Sequence, residues 1–155
     1  MNELRYGMAF GHEHVIRLAS DQSTASTSYV DCTGLAHWLE AGSVYLVEGI
    51  IVFQSPSLVV GIGLSYTIPS GASGIMINQV PTSLSAVTPI TSRTADGHAN
   101  TAAVDAINSD VLAVCHARVV NGSTAGLFQL RYRSSLAANT VVVKTNSLLR
   151  ARRVL

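Results

Sequence analysis

Residues 43–54 (SVYLVEGIIVFQ) constrain the fold more than any other part of the chain. The run is dense in β-branched and aromatic residues, which suit a pleated, half-buried surface. With a period of two, Tyr45, Val47, Gly49, Ile51 and Phe53 fall on one face. Gln54-Ser-Pro-Ser breaks the run, and residues 58–68 (LVVGIGLSYTI) read as a second long strand, with Gly61 and Gly63 on one face and Pro69-Ser-Gly as its stop. Late in the chain, residues 111–120 and 125–133 flank Asn121-Gly122, the strongest short-range signal for a β-hairpin. In the second arm Phe128, Leu130 and Tyr132 face one way, and Gln129, Arg131 and Arg133 the other.

Around these elements, residues 14–19, 74–80, 83–87, 140–144 and 147–154 are strand-like, and 29–32 form a short strand stopped before Gly34. Residues 20–28 and 92–100 read as loops, and 102–107 as a turn or two of helix. Eight to ten strands with closely spaced turns predict an all-β protein, a jelly-roll β-sandwich spanning 14–155 behind a short N-terminal arm, 1–13. The length of 155 residues suits one domain that needs no disulfide or metal staple.

Charged residues make up only 12% of the chain, about half the usual share, and 18 serines and 12 threonines take up the polar role. Such a surface suits a protein that buries much of its outside in assembly. The net charge is +1, but all nine acids lie at or before Asp110 and every charge after it is basic. Late basic strands are therefore expected to pair with early acidic ones, within a sheet or across a subunit contact, with Arg131 and Arg133 as assembly ion pairs. No DNA binding is expected from them. Cys32 and Cys115 lie in apolar runs without metal-ligand spacing and read as buried thiols. No signal-peptide pattern and no membrane-spanning apolar run is present in the sequence, so folding in a reducing cytoplasm is expected.

No set of residues makes a case for catalysis. His12-Glu13-His14 is the only tight cluster of ligand types, and two histidines on one strand face still leave a metal short of ligands. Gly61-Ile-Gly63 lacks the third glycine of a dinucleotide loop, and Gly71-Ala-Ser-Gly74 lacks the spacing of a nucleophile elbow. Asn121-Gly-Ser123 fits a glycosylation acceptor but reads as the hairpin turn. Trp38, beside His37, is the single tryptophan and is expected in the core; exposed, it would be a binding patch. No cofactor and no enzymatic activity are expected.

Residues 18–66 resemble a module common in tailed-bacteriophage structural proteins. It reads as a Ser/Thr-rich loop, a Val-Asp-x-Thr-Gly-Leu turn, a Glu-Ala-Gly-x-x-Tyr lead-in and a long aromatic strand. Residues 114–154 look like its closing strands, ending in Ser-x-Leu-x-x-Arg-Arg-Val. The resemblance implies a trimeric jelly roll of the kind found in capsid decoration (cement) proteins, head fibres and tail-fibre tips. With no heptads or β-helix repeats to build a shaft, the expectation is a homotrimer that decorates a phage head. It would bind the major capsid protein and sit on the virion surface after assembly in the host cytoplasm. The alternative is a tail-tip protein that binds a host surface glycan or receptor. Neither reading involves nucleic acid or membrane. Residues 1–13 lie outside the module, and Leu4, Tyr6, Met8 and Phe10, spaced two apart, are expected to anchor the arm on a neighbour or on the capsid.

Overall fold

A computed structural model describes residues 12–83, 86–92, 104 and 106–154. Among these, every regular element is a β-strand: β1 Glu13–Arg17, β2 Gln22–Thr24, β3 Val30–Leu39, β4 Val44–Gln54, β5 Ile62–Thr67, β6 Ser73–Ser83, β7 Ala86–Ser92, β8 Val111–Val120, β9 Gly126–Ser134, β10 Val141–Val143 and β11 Leu148–Arg153. All pairings are antiparallel. The larger sheet runs β1-β11-β4-β8-β6-β7, with β10 joining β2 to the far end of β4; the smaller runs β3-β9-β5.

The register reveals how the chain winds. The pairs Glu13↔Arg152, Thr24↔Val141, Ala36↔Gln129, Val44↔Val120 and Phe53↔Val111 nest one inside the next. The two halves therefore form one long antiparallel ribbon, whose β1–β11, β2–β10 and β4–β8 pairs lie in the larger sheet and whose β3–β9 pair lies in the smaller. This is the winding of a jelly roll. It departs from an even split of strands, because β6 pairs with β8 and carries β7 outward, which enlarges one sheet.

The core lies between the sheets, as the alternation in β4 and β9 requires. Tyr45, Val47, Ile51 and Phe53 from the larger sheet are buried, as are Phe128, Leu130 and Tyr132 from the smaller. Tyr66 of β5 stacks on Phe128 with ring centroids 5.6 Å apart. Cys32 and Cys115 are buried free thiols, both pushed up to about 12 by desolvation. The sheets are also stitched by polar groups. Asn78 of β6 donates its amide to the Leu64 carbonyl of β5 at 2.9 Å, bridging two strands that share no ladder.

Four expectations are corrected. The short strand 29–32 is the start of the ten-residue β3, which passes through Gly34 on a bulge. Gly34 takes φ +96°, and Gln129 donates to the carbonyls of Cys32 and Leu35 that the bulge turns aside. The strand expected over 58–68 begins only at Ile62. Before it, Ser55 and Ser57 hydroxyls bind backbone groups two residues on, and a turn closes from Val60 N–H to the Ser57 carbonyl; local serine chemistry outcompetes the β propensity of Leu58, Val59 and Val60. Of the helix expected over 102–107, the described residues 106 and 107 lie in a bend and a turn, and 102, 103 and 105 lie outside the described residues.

The fourth correction concerns Asn121-Gly122. The strands it joins, β8 and β9, lie in different sheets, so the segment is a crossover and not a hairpin. Asn121 is buried and donates its side-chain amide to the Leu39 and Glu40 carbonyls. Gly122 sits so close to Gly71 that a Cβ there would lie 2.6 Å from the Gly71 carbonyl oxygen. Asn and Gly serve close approach between the sheets here, and neither has a positive φ.

Candidate interaction surfaces

The early acids and late bases do pair, and within the chain. Glu13 and Glu48 both reach Arg150, at 3.5 Å each; Asp31 meets Arg131 at 3.0 Å; Asp21 pairs with Lys144 and Glu40 with Arg153. The nested ribbon explains the asymmetry in sequence, because each early strand lies beside a late one. Lys144 and the Thr145 N–H hold the Asp21 carboxyl below its usual range. Arg133 has a different role: it lies over the Tyr29 ring at 5.0 Å and donates to the Thr27 carbonyl. Gly63 leaves room for it, since a Cβ there would come 2.9 Å from the Arg133 side chain.

The outer face of the smaller sheet is thus served by its own chain, with Arg131 also donating to the Tyr29 carbonyl. Trp38 stands outside this arrangement. It is 58% exposed, opposite the exposed Leu127, where a core position was expected. The reason is phase: β3 turns His37 and Leu39 inward, so the residue between them faces out.

The outer face of the larger sheet differs. Register places Glu13, Arg152, Leu46, Arg118 and Ile75 in one row across five strands, and Val15, Arg150, Glu48, His116 and Ile77 in the next. The third row holds Arg17, Leu148, Ile50, Val114 and Gln79. Val15, Leu46, Ile75, Ile77 and Leu112 are all exposed aliphatics on this face. A shallow depression of about 230 Å³ opens there between Leu46, Glu13, Glu48, His116, Arg150 and Arg152. An antiparallel sheet with a solvated face normally shows polar residues outward, whereas strands covered on both faces read as near-continuous apolar runs. By that measure β4 is unusually apolar outward, with Leu46, Ile50 and Val52 there beside Glu48 and Gln54.

A second apolar surface forms at one end of the sandwich. Leu58, Val59, Ile107 and Leu136 are exposed on three loops that backbone bonds tie together, from Val104 to Leu58, Asn108 to Ser55 and Ser135 to Gly61.

The His12-Glu13-His14 cluster is divided by the strand. Glu13 turns outward to Arg150, while the His14 ring lies 5.3 Å from that of His37 on the opposite sheet. His37 is buried, meets Tyr45 edge-on at 5.6 Å, and encloses an Nε2 without a hydrogen-bond partner among the described residues. Desolvation, followed by repulsion from His14, lowers its pKa. Among the described residues no three His, Cys, Asp or Glu side chains gather to hold a metal. Leu4, Tyr6, Met8 and Phe10 lie outside the described residues.

No family model and no curated protein matches the chain. Among solved structures it is similar to infectious bursal disease virus of the Gt strain, at 15% identity and TM-score 0.29 over 94% of this chain and 38% of that one. The Gx strain gives 14% identity and TM-score 0.25 over 92% and 40%. The VP2 subviral particle of that virus gives 12% identity and TM-score 0.26, again over 92% and 40%. The chain therefore spans well under half the length of these proteins, and the fold assignment rests on the strand register.

Proposed function

We propose that this protein is a structural component of a virus particle: a homotrimeric decoration (cement) protein that binds the major capsid protein on the outer shell of a phage head and stabilises it. The observation that carries this reading is the exposed aliphatic residues on the outer face of the larger sheet of a low-charge, Ser/Thr-rich jelly roll. The resemblance of residues 18–66 and 114–154 to the phage module supports it. Two separate apolar surfaces, the sheet face and the loop tip, fit a protein that meets two kinds of neighbour, its own copies and the shell. In this reading the protein has no catalytic role, uses no cofactor, and binds neither nucleic acid nor membrane.

The exposed Trp38 beside Leu127 favours one second reading, a tail-tip protein that binds a host surface glycan or receptor. Copy number in purified particles separates the two: decoration needs many copies over the head, a tip only a few at the tail. Deleting residues 1–13 tests the arm. A folded core that no longer binds undecorated heads is the expected result, and undiminished binding removes the anchor role from Leu4, Tyr6, Met8 and Phe10.

A further inference from the structure

We infer that the outer face of the larger sheet is a docking surface for an acidic, aliphatic segment of a different polypeptide, held by Arg118 and Arg152 on either side of Leu46. The inference goes beyond the proposed function and does not need a capsid. It starts from register. Arg152 and Arg118 both stand opposite Leu46, one on each neighbouring strand. Their Cα atoms are therefore two strand spacings apart, about 10 Å. Leu46 between them is 40% exposed, and the same row runs on to Ile75 beyond Arg118 and to Glu13, which turns to Arg150, beyond Arg152. The result is an aliphatic floor with a guanidinium at each side, open to solvent.

Charge decides the occupant. Each acid among the described residues already has a partner in its own chain: Glu13 and Glu48 with Arg150, Asp21 with Lys144, Asp31 with Arg131, Glu40 with Arg153, and Asp110 accepting from Gln54 at 2.8 Å. No ion pair engages Arg118 or Arg152 among these residues. A second copy therefore brings aliphatic groups to the face but, among its described acids, only Asp110 without a cation beside it. A partner rich in carboxylates satisfies both halves of the site, because guanidinium groups bind carboxylates in a paired, directional way. Next to them, Arg150 already shared between Glu13 and Glu48 gives the face an edge that repels further acid and so sets a register.

The test uses the full chain with three capped peptides, alternating valine with glutamate, glutamine or lysine. Methyl resonances of Leu46, Ile75 and Ile77 report where each peptide sits. The glutamate peptide is expected to bind saturably at these methyls and to weaken as salt rises, with the glutamine peptide at least about tenfold weaker and the lysine peptide silent. The double variant Arg118→Glu with Arg152→Glu is expected to lose binding at an unchanged melting temperature; Arg118→Gln with Arg152→Gln gives the same readout should the charge reversal disturb folding. Equal binding of glutamate and glutamine peptides, perturbation elsewhere, or no binding overturns the inference. Self-association that the double variant abolishes also overturns it, and assigns the face to a second copy.

Discussion

The two outer faces of the sandwich solve the same problem in opposite ways. On the smaller sheet, β9 alternates cleanly, and its outward Arg131 and Arg133 are engaged by Asp31, Tyr29 and Thr27 of the same chain. On the larger sheet, β4 turns Leu46, Ile50 and Val52 outward beside Glu48, and among the described residues no ion pair engages Arg118 or Arg152. The first face is finished within the fold. The second is rich in exposed aliphatics that no described residue covers. The contrast also separates residues engaged within the fold from residues that the fold leaves exposed.

Truncations give the sharpest separation. Phe53→Ala empties a fully buried position between the sheets and is expected to cost about 3–5 kcal/mol. Leu46→Ala, on the outer face of the same strand, is expected to change the stability of the isolated protein by less than about 0.5 kcal/mol. Denaturant titration of the two variants reads both, and similar losses would mean that the outer face is already covered.

The glycine of β4 offers a smaller effect on the inward side. A Cβ at Gly49 would lie 2.5 Å from Cys115 Sγ. Gly49→Ala is expected to destabilise by about 1–3 kcal/mol through overpacking. Adding Cys115→Ala should return part of that loss, and no rescue would place the strain elsewhere.

Acid should weaken the seam between β1 and β3. His37 has a folded pKa below its unfolded value, so the unfolded chain binds its proton first and stability falls as pH drops below about 6.5. Urea midpoints between pH 7 and 5 should therefore decline, and His37→Phe should flatten that decline. A variant with the same slope as the parent would assign it to other groups.

The smallest effect lies on the finished face. Asp31 and Arg131 form a pair whose acid is 61% exposed, so a double-mutant cycle is expected to give less than about 1 kcal/mol of coupling. A larger value would mean that Arg131 also serves an assembly contact, as its late basic position first suggested.

Local patterning carried much of this architecture. The alternation in residues 43–54 and 125–133 gave both inner faces, and the split between early acids and late bases gave the pairing of chain ends. Long-range winding was hidden where local signals mislead. Asn121-Gly122 has hairpin chemistry, but its glycine answers to Gly71, fifty-one residues away. Leu58, Val59 and Val60 have strand propensity that the serines beside them override. The arginine pair around Leu46 was invisible because its members stand thirty-four residues apart and meet only through β4. Trp38 was misplaced by composition; its neighbours His37 and Leu39 set the phase.

Hydroxyl-radical footprinting of the isolated protein tests the central claim most directly. An unfinished outer face predicts that Leu46, Ile75 and Ile77 are modified readily, while Phe53 and Phe128 stay protected across a range of protein concentration. Protection of Leu46, Ile75 and Ile77 in the protein alone would contradict it, because the face would then already be closed by its own chain or its own copies.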